Sequence, residues 1–541
     1  MKVLLLEHPR GRSAIHFNDI ANTPLSSCLT SGYIASLLQV NDIETEILDS
    51  YLSRYSFRQM VEEVIEKEFD ILGIHLVYSW EHTSSVLHAI DAISHSVKTP
   101  IIVYGFYPTF DYASILKSHR FIDYAIIGEP EFVFLKFCEL LKKGKDIKGV
   151  NGLACRNGNE LITDKKQNVI ENLDLLPFPY RTKEQLDYIG GNILGSRGCY
   201  GNCTFCYINN FYGKSCGWRG RSPENIYQEV KTVLNSLSSR YIYFVDANFF
   251  GQGDQGQLRS EKIAEHLQDE KGLRFGLECR VNDIQEGSLK ALVQAGLQDV
   301  FLGVESGSKH SLRRMRKGTT VEQGVRAVEL LRNYGIEPYI GFIMFESDSE
   351  LQDVRDNLTF LKNKYLLEKL ITTVDLLYHP HIVLMGTDSY ISLQKENRMS
   401  FSPHSSYQGT FSFKEDRVQF LADVISPLCH YLLTQMSRSD SPIYWCRNVL
   451  DTNHCSCKIA DRLNQWLVEL FEDLLRRLEC RDVALTDEIK SRYINKSIDL
   501  INEMMPSSVI PAKPDTDSNQ RGQARCHSRG SGNPETFKTT I

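Results

Sequence analysis

Gly195 to Gly213 reads GSRGCYGNCTFCYINNFYG, and the spacing of its cysteines decides how the rest of the chain is read. Cys199, Cys203 and Cys206 form a C-x3-C-x2-C run. Three thiolates this close on one loop can ligate three irons of a cubane, and iron–sulfur centres take cysteines at such short spacing. With three cysteines nearby, the fourth iron is left open to another ligand. Gly195, Gly198 and Gly201 let the backbone bend around a bulky group. Zinc with a distant fourth ligand also favours short-spaced cysteines, so spacing alone leaves a cluster, a zinc site and chance grouping open.

The triplet follows an apolar run, NILGSRG, the first of six strand-like segments over residues 191–380. YIYFVDANF, RFGLECRV, DVFLGVES, EPYIGFIMF and LITTVDLLY follow, alternating with amphipathic patterns such as PENIYQEVKTVLNSL and VEQGVRAVELLRNYG. Six β/α units predict a partial (β/α)6 barrel, whose chemistry gathers at the C-terminal strand ends, where the triplet lies. Upstream, residues 1–147 alternate apolar strands (KVLLLEH, ETEILDS, ILGIHLVY, PIIVYGF, YAIIGEP) with helical patterns. This predicts an α/β, doubly wound Rossmann-like domain that binds ligands beyond its C-terminal strand ends. Residues 148–190 form a linker with a small hairpin, GLACRNGNELIT, and the proline-marked LDLLPFPYR. Residues 381–505 are mostly helical, and residues 506–541, poor in large apolar side chains, are expected to be disordered.

The 541 residues suggest two or three domains, and the net charge of -7 argues against general nucleic-acid binding. No apolar run reaches the roughly 18 residues of a membrane span. The opening MKVLLLEHPRGRS is too soon interrupted for a secretory signal, so a cytoplasmic location is expected. Fourteen cysteines in such a chain are not a disulfide framework.

The C-x3-C-x2-C run with the aromatic Phe205 before its last cysteine resembles the signature of the radical S-adenosylmethionine (SAM) superfamily, over roughly residues 191–380. The resemblance implies a [4Fe–4S] cluster on Cys199, Cys203 and Cys206, whose free iron chelates SAM and whose electron releases a 5′-deoxyadenosyl radical. It also implies an electron donor such as flavodoxin or ferredoxin. DVFLGVES is similar to the fourth-strand motif, placing Glu305 and Ser306 near SAM, and ECRVN to the third, making Arg280 a partner for the SAM carboxylate. YIGFIMF is similar to the fifth, with Gly341 to Ile343 against adenine. Where many members carry Gly-Gly-Glu for the SAM amine, this chain has Val245-Asp246-Ala247-Asn248, leaving Asp246 for that role.

Residues 1–147 resemble the cobalamin-binding domain that precedes many such barrels. Tyr78, Ser79 and Trp80 then occupy the loop that shields the lower cobalt face, while Gly105 to Thr109 and Gly128-Glu129 line the nucleotide tail and corrin edges. His8 and Gly11 fit the D-x-H-x-x-G of the cobalamin mutases, but Leu6 replaces the acid that orients such a histidine, so His8 reads as a loop residue. Together these features imply methyl transfer from methylcobalamin to an unreactive carbon of a small molecule or natural product. Radical cyclisation or rearrangement on the same layout is one rival, and a non-enzymatic zinc module another. Transfer-RNA methylthiolation is disfavoured, since the sequence shows neither a second, N-terminal cysteine triplet nor an RNA-binding β-barrel pattern in its C-terminal part. Cys216 reads as a spare thiol; Cys446, His454, Cys455, Cys457 and Cys480 fall short of a second metal pattern. The basic run RRMRKG, Arg313 to Gly318, reads as a solvated face.

Overall fold

The computed structural model describes residues 1–10, 29–79, 82–163, 168–182, 185–186, 191–214, 217–237, 239–402, 405–444 and 456–505. The first sheet contains β1 (Lys2–Glu7), β2 (Glu44–Asp49), β3 (Ile71–His75), β4 (Ile101–Tyr104), β5 (Tyr124–Ile126), β6 (Leu153–Asn157) and β7 (Glu160–Thr163). Its order is β2-β1-β3-β4-β5-β6-β7, parallel through β5 and antiparallel beyond. Successive residues of a strand face opposite ways. Accordingly Leu4 and Leu6 enter one apolar core and Val3 and Leu5 the other. That double burial is why the strand reads as an unbroken apolar run. The hairpin expected in the linker is β6–β7, which extends this sheet through β5.

In the second layer, β8 (Gly191–Ile193) precedes β9 (Ser196–Arg197) and β10 (Arg219–Gly220), a short antiparallel pair. β11 (Tyr241–Phe244), β12 (Arg274–Arg280), β13 (Leu297–Glu305) and β14 (Tyr339–Phe342) continue the barrel in the order β14-β13-β12-β11-β8, all parallel. Two of the helices between them start on side-chain caps. Ser222 accepts from the Asn225 amide with Pro223 in the first turn, and Thr320 and Gln323 form a capping box.

The expected sixth strand is not one. LITTVDLLY forms a helix, Leu370–Tyr378. Its β-branched residues suggested a strand, yet Leu370, Thr373, Val374 and Leu377 recur at helical spacing and are buried. The sixth place in the barrel is taken by residues just beyond it, through an isolated parallel bridge between Phe345 and Pro380.

The helices Asp416–Ser437, Ser456–Glu479 and Asp487–Met504 pack on the barrel, and Leu421, Leu467 and Phe471 share one core with barrel residues such as Phe345. A three-stranded sheet, β15 (Val383–Leu384), β16 (Met399–Ser402) and β17 (Ser405–Phe411), lies in sequence between the barrel and these helices. Among the described residues no helix is long and apolar enough to cross a membrane.

Candidate functional site

The cysteine loop springs from the C-terminal end of β8 and is closed at its base by the β9–β10 ladder. Gly198 turns into it with φ +80°, and a Cβ there would strike the Gly217 carbonyl, so no other residue fits. Asp246, fully buried, anchors the approach: its carboxylate accepts from the Gly195 amide at 2.9 Å and from the Ser196 hydroxyl. Burial pushes its pKa up to about 7, against the pull of Ser196, Arg259, Gly195 and Arg221. Within the loop the Cys199 amide donates to Asn209 at 3.2 Å and the Thr204 amide to the Met315 carbonyl at 2.9 Å.

The three cysteines are partly buried and share one small cavity. Among the described residues no three His, Cys, Asp or Glu side chains gather around one point, as a single ion would need. Burial pushes the Cys206 thiol up to about 12, so a metal that binds it must displace a proton.

Two cations face the thiols. The Arg280 guanidinium, at the end of β12, donates to Cys203 Sγ at 3.5 Å and to the Lys317 carbonyl, and lies 5.2 Å over the Tyr200 ring. Burial disfavours its charge, but Cys203 and Cys199 more than offset this and raise its pKa. Lys317, only 4% exposed, donates to Glu305 at 2.9 Å. Glu305 ends β13 with φ +68°, where the strand register shifts, so its carboxylate turns out of the ladder toward Lys317. This corrects the solvated reading of the basic run for Arg314 and Lys317, while Arg313 and Arg316 are exposed as expected. Arg314 pairs with Glu346 and, at 2.5 Å, with Asp353, while Lys317 is buried beside the thiols. A run of cations gives no sign of this, because burial is set by the turn after the helix Lys309–Arg314.

The other residues expected around SAM divide. Phe205, Gly341 and Ile343 are half-buried beside the loop and on β14 and its extension, with the Ile343 amide donating to the Glu305 carbonyl at 2.8 Å. Ser306 turns inward, donating to Asn357 at 2.6 Å, and Asp246 spends its oxygens on the protein's own backbone and hydroxyl.

The first sheet's C-terminal edge meets the cysteine loop directly. Tyr207, next to Cys206, packs its ring 4.7 Å from Phe106 and 6.2 Å from Tyr78. Gly105 (φ +115°) approaches so near Leu76 that a Cβ would lie 2.7 Å from the Leu76 carbonyl. Beyond it the chain is a helix, Phe106–Ser118, rather than the loop expected from Gly105 to Thr109. Thr109 binds back to Gly105 at 2.7 Å and receives the Gly128 amide at 3.1 Å. Tyr78 is buried, donating to the Met385 carbonyl at 3.1 Å, and the Ser79 amide donates to Tyr407 at 2.9 Å. Glu129 is buried and accepts from Arg197 at 2.7 Å and Arg219 at 2.8 Å. Trp80, Cys216, Cys446, His454 and Cys455 lie outside the described residues.

In a sheet of order 2-1-3-4-5 the crevice opens between β1 and β3. There Glu7 joins the two strands, accepting from His75 Nδ1 at 2.9 Å and Ser31 at 2.6 Å. Next to it His8 is buried; its Nδ1 lies 2.8 Å from the Pro9 carbonyl and its Nε2 has no partner. A close-approach glycine and an orphaned imidazole nitrogen at this edge suit a large bound cofactor.

Residues 193–358 match the model of the radical SAM superfamily. An uncharacterised methyltransferase of Pyrococcus horikoshii is 25% identical over 371 residues, 67% of this chain and 78% of its own. An anaerobic magnesium-protoporphyrin IX monomethyl ester cyclase of Rubrivivax gelatinosus is 25% identical over 334 residues, 58% of each chain. The structure of the cobalamin-dependent SAM radical enzyme OxsB, with aqua-cobalamin and SAM bound, superposes with a TM-score of 0.65 at 20% identity, over 92% of this chain and 84% of that one. The three-part fold is therefore shared almost from end to end.

Proposed function

We propose that this chain, whose residues 193–358 match the model of the radical SAM superfamily, cleaves SAM reductively at a [4Fe–4S] cluster on Cys199, Cys203 and Cys206 and couples this to cobalamin-dependent methyl transfer. The acceptor is an unactivated carbon of a small molecule or natural product. One observation carries the reading: the cysteine loop, faced by Arg280 and Lys317, is packed through Tyr207 against the ligand edge of the first sheet. That contact supports two candidate cofactor sites set side by side. The methyltransferase relative and the cobalamin and SAM bound by OxsB support the same assignment.

When bound, the cluster and SAM supply a 5′-deoxyadenosyl radical and methylcobalamin supplies the methyl group. The chain's own contribution is positional and electrostatic. Arg280 places positive charge beside Cys203 Sγ, at the mouth of the loop, and offers it to the carboxylate of SAM. Lys317 holds Glu305 at the end of β13, where the pair presents both signs of charge to the amino and carboxylate groups of SAM. Phe205, Gly341 and Ile343 offer apolar surface to adenine. Asp246 fixes the strand that leads into the loop and acts through it. On the first sheet, Ser79, Gly105 and Gly128 would border the corrin, with Tyr78 and Glu129 supporting them from behind.

The relative named as a cyclase favours a second reading, radical ring closure without methyl transfer. Anaerobic incubation with a strong reductant, methylcobalamin, SAM bearing a deuterated methyl group and an extract of candidate substrates separates the two. S-adenosylhomocysteine together with label in cobalamin and product supports methyl transfer. 5′-Deoxyadenosine alone, with methylcobalamin unchanged, supports the cyclase reading.

A further inference from the structure

A histidine outside every motif of the barrel faces the cysteine loop. Beyond β14 the chain runs on to Phe345, which pairs with Pro380 in a parallel bridge. The Phe345 amide donates to the His379 carbonyl at 3.2 Å and the His381 amide to the Phe345 carbonyl at 2.7 Å. Phe345 sends its ring among Phe413 and Phe471, toward the helical region. Paired residues share a face and successive residues alternate, so Pro380 follows Phe345 and His381 points the other way, into the barrel. Its ring lies edge-on to Phe205 at 6.3 Å, with Phe411 at 6.0 Å behind it.

His381 is only 6% exposed, and its Nε2 is buried without a hydrogen-bond partner. Buried polar atoms are almost always satisfied, so an orphan at the mouth of a barrel marks a place where a ligand atom belongs. Burial holds the imidazolium pKa down to about 4, so the ring is neutral near pH 7 and suits an uncharged group. Phe205 stands between Cys203 and Cys206, hence a group edge-on to it lies beside the cluster. Substrate must lie farther off, beyond the 5′ carbon of SAM. The charged end of SAM is matched by Lys317, Glu305 and Arg280, which leaves its adenosyl end for a neutral ring.

We propose that His381, through Nε2, hydrogen-bonds the adenosyl group of SAM. This rests on the radical SAM reading above. The test compares the reconstituted holoenzyme with H381L and H381Q, measuring SAM affinity by anaerobic equilibrium dialysis and the EPR signal of the reduced cluster with and without SAM. Iron content and thermal melting report whether each variant is folded and loaded. H381L is expected to bind SAM about tenfold more weakly. H381Q, whose carboxamide can reach the place of Nε2, should stay within about threefold of wild type. Unchanged affinity in H381L overturns the proposal, even if substrate turnover is lost, since that outcome assigns His381 to the substrate. Equal loss in both variants overturns it too, as a packing effect. A wild-type cluster whose EPR signal ignores SAM defeats the radical SAM reading itself and is recognised without either variant.

Discussion

Glu7 shows how much one side chain holds at the ligand edge of the first sheet. Burial raises its pKa, but the charges of His75 and Arg10 and the hydrogen bonds from His75 and Ser31 outweigh this and bring it to about 2 from an ordinary 4.5. A depressed carboxyl pKa adds stability that is present above about 4.5 and is lost as pH falls through the folded value. The difference corresponds to roughly 3 kcal/mol. Wild type and Glu7→Gln should therefore differ in urea stability by that order at pH 6, and the gap should close as pH falls toward 2. A gap independent of pH would contradict the ion pair. At this scale the sequence was legible wherever chemistry dictates spacing: the cysteines, and Arg280 and Glu305 at strand ends. Burial decided the rest. Lys317 was hidden in a basic run and His381 in what read as a domain boundary, while Ser306, Tyr78 and Glu129 turn inward onto partners distant in sequence.

Among the elements, the cysteine loop depends on one backbone conformation. Gly198 has φ +80° and faces the Gly217 carbonyl. Gly198→Ala adds about 1–2 kcal/mol of left-handed strain and a clash with backbone that cannot swing aside. The expected result is a folded barrel with severalfold less iron bound on reconstitution; full iron content would show that the loop tolerates another path. All ten parallel strands of the two sheets, β1 to β5, β8 and β11 to β14, were readable as strand-like runs, most of them apolar because both faces of a parallel sheet are covered. The segment Leu370–Tyr378 was misread, since Ile, Thr and Val favour strands locally whereas the packing of Val374 and Leu377 against the helical region selects a helix. The β6–β7 hairpin was seen, but not its attachment to β5, because the edge that recruits it lies in the fold and not in the hairpin.

Across the whole molecule, the first sheet and the cysteine loop are joined by charge. Arg197, two residues before Cys199, binds Glu129 at 2.7 Å and Glu131 at 2.6 Å, all three buried, with the partly buried Arg219 on Glu129 at 2.8 Å. Removing one partner of a buried network strands the others, at a cost of about 3–5 kcal/mol. Arg197→Met should lower stability by that order in urea unfolding, and a loss below about 1 kcal/mol would mean the network is loosely held. This join has a functional consequence, since whatever occupies the edge beside Gly128 is one ion pair away from the loop that holds the cluster.

The central claim concerns those three cysteines, and 5′-deoxyadenosine is its direct readout. The anaerobically reconstituted wild-type protein and the Cys199→Ala, Cys203→Ala and Cys206→Ala variants would be reduced with dithionite, supplied with SAM and analysed by mass spectrometry. The account predicts 5′-deoxyadenosine from the wild type and none above background from any variant, each of which fails to retain a complete cluster. Wild-type protein that takes up zinc without iron or sulfide, or 5′-deoxyadenosine that persists without the cysteines, would contradict it.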